Sequence, residues 1–486
     1  MKINKRSAII VLVFIFLTAL FLRVSPVLEV RNYWYDEAFT GILLKHSWGE
    51  MNQMIFDDVH PPLYYWLVKP WASLFDYSPA GIRSFSVFLG LLTVVSLYWI
   101  GKKMFDRRAG LLAAALGAVS PFAIQYSQEA RMYALFGLLM LWAIWFFWKA
   151  LQEDKWRDWI LWGVFGGLSF YTHYLALFFF IIFYLTFLFY RKIFQKMSLG
   201  EAAFKSIKFW AGTGVIFAFF LTWINVFISH MMKGNLGWID PSHLSDIPKT
   251  LQIFFFGHPP GVGGVPEANP FRYFFDSSSA GLAILVFMTA LFTIAWLKKK
   301  KRKEFFVLGL VSLGTLAFLI IASHFNIKLY VSRYFMPAAV MIYLLFAGMA
   351  VAMFRSKYSW LVALFVFGLL MLNLKPIEYK TQWYQAAQLI KQSGWENATI
   401  VTSNPFDYTT TRYYFNKDRI KYHNKSNPTE DFSKWVVVGN ENRLEDPAQI
   451  KELENPVVLD GTCDWQGLDL KQVAEFDGVK VCKVEK

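Results

Sequence analysis

The chain has 486 residues, of which 56% are hydrophobic and 19% aromatic, with only 17% charged and 49 phenylalanines. A soluble domain has no interior large enough for that much apolar surface, so the composition excludes an ordinary water-soluble enzyme and points to a polytopic membrane protein. The formal charge of +14 does not mark a nucleic-acid binder, because Lys298 to Lys301, Arg302 and Lys303 form a short run between two apolar segments, as cytoplasmic loops do.

The chain opens with a basic tip and an apolar run, MKINKRSAIIVLVFIFLTALFLRV. A secretory signal shares both features, but no small-x-small cleavage site follows, and the stretch reads as an uncleaved signal-anchor. Apolar segments of about 17 to 25 residues, long enough to cross a bilayer, fall near 7–28, 81–101, 109–126, 131–149, 158–173, 174–190, 209–228, 280–297, 305–323, 335–353 and 359–374. That makes about eleven spans. If they alternate, the basic clusters at Lys2 to Arg6, Lys102 to Arg108, Lys149 to Arg157, Arg191 to Lys208, 298–303 and Arg355 to Lys357 share one face, the cytoplasmic one. The stretch at 31–69, the turn at Ser127 to Arg131, the 229–279 loop, the 326–333 turn and everything after 375 then share the other face.

The 31–69 stretch carries acids, a histidine and paired prolines between two spans. Asp36 and Glu37 follow the first span by a few residues, at headgroup depth. Asp57, Asp58 and His60 precede Pro61 and Pro62, which exclude helix just before the chain turns apolar again. An ordinary polar loop has the same ingredients. On the same face lie Gln128, Glu129 and Arg131, and Lys328 with Arg333 in KLYVSRYFMP. Carboxylates can act as a base or hold a metal, and arginine offers a planar fork for phosphate, so an anionic lipid headgroup fits between them. The plainer alternatives are local charge neutralisation for Glu129 with Arg131, and snorkelling to headgroups for Arg333. His173 and Tyr174 sit in a tight turn, read as structural. GHPPGVGGVPEANP at 257–270 reads as an outer loop or lid and has none of the Walker or dinucleotide spacings.

From 375 to 486 the character changes. Apolar runs shorten, and ATIVTS, KWVVVG and NPVVLD look like strands beside a helix, WYQAAQLIKQSG, ended by Gly394. The chain therefore divides into a membrane domain at 1–374 and a small α/β domain at 375–486, placed outside the cytoplasm. Cys463 and Cys482 both lie in this tail, and spacing leaves a disulfide and two free thiols equally open.

DEAFT after the first span, DDVHPPLYYWL before the second, GIRSFS at 81–86 and SPFAIQYSQEARMYAL at 120–135 resemble the multispan GT-C glycosyltransferases of the protein mannosyltransferase and aminoarabinose transferase superfamily. The likeness is greatest to bacterial members of unassigned substrate. It covers about the first 200 residues, with a looser match in SRYFMP at 332–337. It implies a polytopic helical fold of GT-C type and an inverting transferase that moves a sugar from a polyprenyl-phosphate donor to a lipid, glycan or protein acceptor at the outer membrane face. The resemblance makes Asp36 the base and Glu37 its acidic partner. It places His60, Arg83, Glu129, Arg131, Lys328 and Arg333 at the substrate, with Arg131 and Arg333 near the lipid phosphate. Some relatives use a divalent metal and others do not; Glu37, His60 and Glu129 are the residues here that could hold one. Such a reaction needs one base and cationic clamps, and no acid for the leaving group, because a phosphate departs as an anion. A transporter or flippase would also have many spans, but commonly carries ionisable or helix-breaking residues at mid-span depth and a repeated half. A catalytically silent scaffold is the third reading.

Overall fold

The computed structural model describes residues 4–29, 32–233, 239, 241–258, 278–297, 301–325, 329–353, 359–372, 382–395, 397–415, 417–424, 442–465, 467–476 and 478–485. Its helices in order are α1 (Lys5–Glu29), α2 (Tyr35–Lys45), α3 (Trp48–Asp57), α4 (Leu63–Phe75), α5 (Pro79–Met104), α6 (Arg107–Val119) and α7 (Pro121–Ser127). There follow α8 (Tyr133–Glu153), α9 (Trp156–Phe170), α10 (Ala176–Gln195), α11 (Leu199–Phe204), α12 (Ile207–Lys233), α13 (Asp246–Phe256) and α14 (Ser278–Leu297). The last are α15 (Arg302–Gly309), α16 (Thr315–His324), α17 (Met336–Met353), α18 (Ser359–Met371), and in the tail α19 (Trp383–Gln392) and α20 (Pro405–Tyr414).

Among the described residues seven helical stretches are long and apolar enough to cross a membrane: Lys5–Leu28, Pro79–Met104, Tyr133–Glu153, Ala176–Gln195, Ile207–Met232, Arg302–His324 and Ser332–Met353. The bent pair α6 and α7 makes an eighth if counted as one span. The expectation of about eleven drew on three more apolar stretches. These are helical but short: 15 residues in α9, 13 in α18, and Gly281–Ile294 within α14. Burial separates core from lipid face. Nearly all of α17 is buried, whereas Ile9, Phe14 and Phe21 of α1 and Phe217 and Leu221 of α12 stand exposed, as side chains solvated by lipid do.

The break at 120–121 shapes the whole membrane domain. Pro121 cannot donate to the preceding turn, so the helix ends and restarts with a bend of 62°. Ser120 caps the new helix by accepting from the Ala123 N–H at 3.2 Å. Its hydroxyl and that of Tyr343 meet the Phe254 carbonyl at 2.8 and 2.7 Å, which joins α7 to α13 and α17. The freed carbonyls at the end of α6 are taken by Arg23, a fully buried cation on α1. Its guanidinium donates to Gly117 at 2.7 Å and Ala118 at 2.9 Å. A positive group at a helix C-terminus is favourable on both hydrogen-bond and dipole grounds. Beyond the break, Gln128 donates back to the Leu22 carbonyl at 2.8 Å, so α1 grips both arms of the bend.

The tail is a five-stranded sheet, β1 (Ile400–Thr402), β2 (Ile420–Tyr422), β3 (Val457–Asp460), β4 (Leu470–Phe476) and β5 (Val479–Val484), in the order β2-β1-β3-β5-β4. β1 pairs parallel with β2 and β3, placing Ile400 opposite Ile420 and Val457, while β5 runs antiparallel to β3 and β4. The expected helix is α19, with Gly394 at positive φ (72°) just beyond it, the conformation glycine adopts at least cost. ATIVTS and NPVVLD form β1 and β3; KWVVVG lies outside the described residues. The β4–β5 hairpin was not expected, because LDLKQVAEF is an edge strand whose polar side chains hide its alternation. Cys463 and Cys482 form a disulfide with Cα atoms 5.9 Å apart, settling the open pairing. Closing a separation of 19 residues restricts the unfolded tail by about 3 kcal/mol in the chain-entropy account.

Sheet and membrane domain meet at α2. The Tyr33 N–H donates to the Tyr414 hydroxyl at 3.0 Å, and Tyr33 and Tyr413 pack edge to face at 4.7 Å. Lys45 lies over the Tyr413 ring at 4.0 Å, and the Tyr384 N–H donates to the Asn32 side chain at 2.9 Å. Gly41 permits the approach. A Cβ there would sit 2.6 Å from a ring carbon of Tyr413.

Candidate active site

The site is built on the first turn of α2. Two carboxylates there sit at a helix N-terminus, where unsatisfied N–H groups favour negative charge, and Lys69 caps the far end by donating to the Leu44 carbonyl at 2.9 Å. Adjacent helix residues point about 100° apart, and the two acids go to different places.

Glu37 turns inward and is wholly buried. Its carboxylate takes both arms of Arg83, Nε to Oε1 and Nη2 to Oε2, each at 2.8 Å. Oε1 also accepts the Ala130 N–H at 2.9 Å, while Arg83 donates again to the Asn32 carbonyl and lies over the Tyr33 ring at 4.9 Å. One buried ion pair thus ties together α2, α5 and the turn that carries Glu129 and Arg131. Arg83 is held in this pair.

Asp36 faces the opposite way. Its Oδ2 lies 3.8 Å from Arg333 Nη2, an ion-pair distance too long for a direct hydrogen bond. Arg333 is placed by the turn Ser332–Phe335 ahead of α17 and is caged by three rings: Trp34 at 5.2 Å, Tyr334 at 5.8 Å and Tyr133 at 6.0 Å from the guanidinium carbon. It points into the protein, so the snorkelling alternative does not describe it.

Arg131 closes the group from below. It donates to the Asp36 carbonyl at 3.3 Å, the Tyr65 hydroxyl at 3.1 Å and His60 Nε2 at 3.0 Å. Arginine only donates, so His60 Nε2 accepts and its Nδ1 proton goes to Asp58 at 2.8 Å. Burial alone would raise the Asp58 carboxyl, but His60, with Arg131 behind it, outweighs this and holds it below its ordinary value. The paired prolines set this chain up: Pro62 ends the loop, and the Leu63 N–H starts α4 by donating to the Tyr171 carbonyl at 2.9 Å.

Glu129 is buried in the turn after α7, near enough to Tyr64 and Tyr126 to act on their hydroxyls electrostatically. Lys328 and residues 259–270 of the expected lid lie outside the described residues. At the lid's first residues, His258 meets the Tyr126 and Ser332 hydroxyls at 3.2 Å each, next to Arg333. The residues suggested for a metal do not converge. Glu37 is occupied by Arg83, His60 by Asp58 and Arg131, and among the described residues no three His, Cys, Asp or Glu side chains are grouped to hold an ion. No step is derived through one.

Sequence reasoning named Asp58 without a role and left out Tyr65. The signal for Asp58 was its place two residues before the histidine of the proline turn. Tyr65 carries no signal beyond its nearness to that turn. Of the turn read as structural, Tyr174 is so: its hydroxyl accepts from Trp223 at 3.0 Å and meets His230 at 2.8 Å. His173 instead packs beside Tyr334.

Residues 59–224 match the family model for dolichyl-phosphate-mannose-protein mannosyltransferases. No curated protein matches the chain in sequence. In fold, the chain is similar to ArnT from Cupriavidus metallidurans, with a TM-score of 0.64 for the apo state and 0.66 for the state bound to undecaprenyl phosphate, each at 11% identity. The latter match covers 99% of this chain and 98% of that one. The oligosaccharyltransferase of Archaeoglobus fulgidus in its apo form is similar at a TM-score of 0.53 and 14% identity, over 94% of this chain and 70% of its own. The family match takes in His60, Arg83, Glu129 and Arg131 but neither Asp36 nor Arg333, and with the likeness to ArnT from end to end it gives the chain the multi-pass membrane fold of GT-C type.

Proposed function

We propose that the chain transfers a sugar from a polyprenyl-phosphate donor to an acceptor hydroxyl or amine with inversion, Asp36 acting as base. The carrying observation is the facing pair of Asp36 and Arg333 at 3.8 Å, with the buried Arg131 behind. Asp36 takes the acceptor proton as the acceptor atom bonds to the anomeric carbon. The carbon–oxygen bond to the phosphate breaks, and its electron pair leaves on a phosphate that gains charge beside the guanidinium. Glu37 holds α2 in place. The undecaprenyl phosphate bound to the similar ArnT fold supports a lipid of this class as leaving group. Purified protein in lipid nanodiscs, given cell-envelope lipids and glycans as acceptors, is expected to release undecaprenyl phosphate from undecaprenyl-phosphate hexoses or pentoses as the sugar passes to an acceptor. Lipid moved across the bilayer uncleaved would favour the transporter instead.

Arg333→Ala is expected to weaken donor binding about ten- to a hundredfold, from the roughly 1.5 to 3 kcal/mol of a charge-assisted hydrogen bond. Lys at this position restores part, because it lacks the planar fork. Donor titration of both variants reads this directly, and unchanged affinity in the alanine variant removes Arg333 from the phosphate.

The site lies on the extracytoplasmic face in this reading, with the N-terminus cytoplasmic and the domain at 375–486 outside, contributing to acceptor selection. The basic loops and the disulfide, a bond of oxidising compartments, support that orientation. In intact cells, single cysteines at position 300 should be protected from an impermeant label and those at 427 should react. Reaction of both from outside overturns the orientation. Donor titration against a tail-deleted but folded protein tests the division of labour, which fails if all donor binding is lost.

A further inference from the structure

We infer that His173 donates a hydrogen bond from Nε2 to an oxygen of the donor phosphate, as a neutral partner to the arginines; this rests on the polyprenyl-phosphate reading above. His173 lies in the turn between α9 and α10, remote in sequence from every motif of the site. Its ring stacks on Phe136 (5.3 Å between centroids, 16° between planes) and packs against Tyr334 at 4.6 Å and Tyr133 at 6.4 Å. Tyr334 and Tyr133 are two of the three rings that cage Arg333. Histidine and arginine therefore share the same pair of aromatic walls.

The hydrogen-bond pattern fixes which nitrogen carries the proton. Nδ1 accepts the Leu175 N–H at 3.2 Å, so the neutral ring holds its hydrogen on Nε2. Among the described residues Nε2 has no partner, although the residue is only 7% exposed. The nitrogen is accessible and not sealed in the interior, and the ring is held rigidly by stacking in a place with a cationic surround, so its N–H is open to an incoming acceptor. An anionic oxygen is the acceptor that such a place selects. Burial first, then the nearby guanidinium charges of Arg131 and Arg333, push the imidazole well below its ordinary value, so it enters the reaction neutral. A neutral N–H strengthens its bond as the departing phosphate gains charge and retains its proton, as a neutral imidazole does when it polarises a substrate carbonyl.

The test is binding of two lipids by the full chain in nanodiscs: undecaprenyl phosphate, and undecaprenol, which has the same tail without the phosphate. His173→Asn keeps an acceptor for the Leu175 N–H but ends short of the Nε2 position, while His173→Gln reaches it with an amide N–H. The expected result is undecaprenyl phosphate affinity about ten- to a hundredfold weaker in the asparagine variant, largely recovered in the glutamine variant, with undecaprenol affinity unchanged in both. Equal losses for both lipids, or no loss for either, overturn the inference and make the turn structural. If the unaltered protein does not prefer undecaprenyl phosphate over undecaprenol, the donor reading itself fails. Preference in the unaltered protein with no change in the asparagine variant defeats only the role of His173.

Discussion

Asp36→Asn should lower turnover by about 10² to 10⁴ while leaving donor affinity nearly unchanged. The amide keeps the shape of the carboxylate and removes only its ability to take a proton. Its long, 3.8 Å contact with Arg333 is an ion pair without a hydrogen bond, so losing the charge frees the guanidinium for the phosphate and does not misplace it. Glu37→Gln is the matched control. Its amide oxygen still accepts from Ala130, and the loss expected there is chiefly of stability. The measurement is turnover and donor affinity for both variants in the same preparation. Near-normal turnover by the Asp36 variant beside an inactive, folded Glu37 variant would transfer the role to Glu37. Near-normal turnover by both would move the chemistry away from this loop.

Arg83→Ala is expected to destabilise the membrane domain by about 3 to 5 kcal/mol, because it strands a wholly buried carboxylate. That is a large part of the roughly 5 to 15 kcal/mol by which folded proteins exceed their unfolded states. Removing both charges, as Arg83→Met with Glu37→Met, should cost distinctly less than Arg83→Ala alone, since no unpaired ion is left in the interior. Thermal unfolding in detergent of Arg83→Met, Glu37→Met and the double variant closes the cycle. A folded Arg83→Ala protein with an unchanged midpoint would mean that Glu37 is not a clamp and would reopen a chemical role for it.

The spans were legible because lipid solvation leaves an unmistakable mark on composition, whereas the acids of the first loop stood out only through the ordered motifs they belong to, since an ordinary polar loop has the same ingredients. What stayed hidden was decided by contacts between distant segments. Residues 109–126 read as one span, since its apolar character runs on through Ser120 and Pro121; only the three-dimensional capture of carbonyls by Arg23 explains how the bend is held. Glu37 and Asp36 are neighbours with the same chemistry, and nothing in DEAFT says which one faces Arg83. His173 was read as part of a turn because its partners, Phe136, Tyr334 and Leu175, come from three segments. The tail was legible as a separate composition but not as a partner of α2, for Gly41 and Tyr413 carry no mark of each other.

That last contact alters how the two halves of the chain can be regulated. Helix α2 presents Asp36 on one side and receives Tyr413 over Gly41 on another, so it belongs to the tail's interface and to the reaction centre at once. Whatever seats or tilts the tail acts on the same short helix that carries Asp36. By thermodynamic reciprocity, an acceptor that binds the tail and changes its seating must change donor affinity by the factor by which donor changes acceptor affinity.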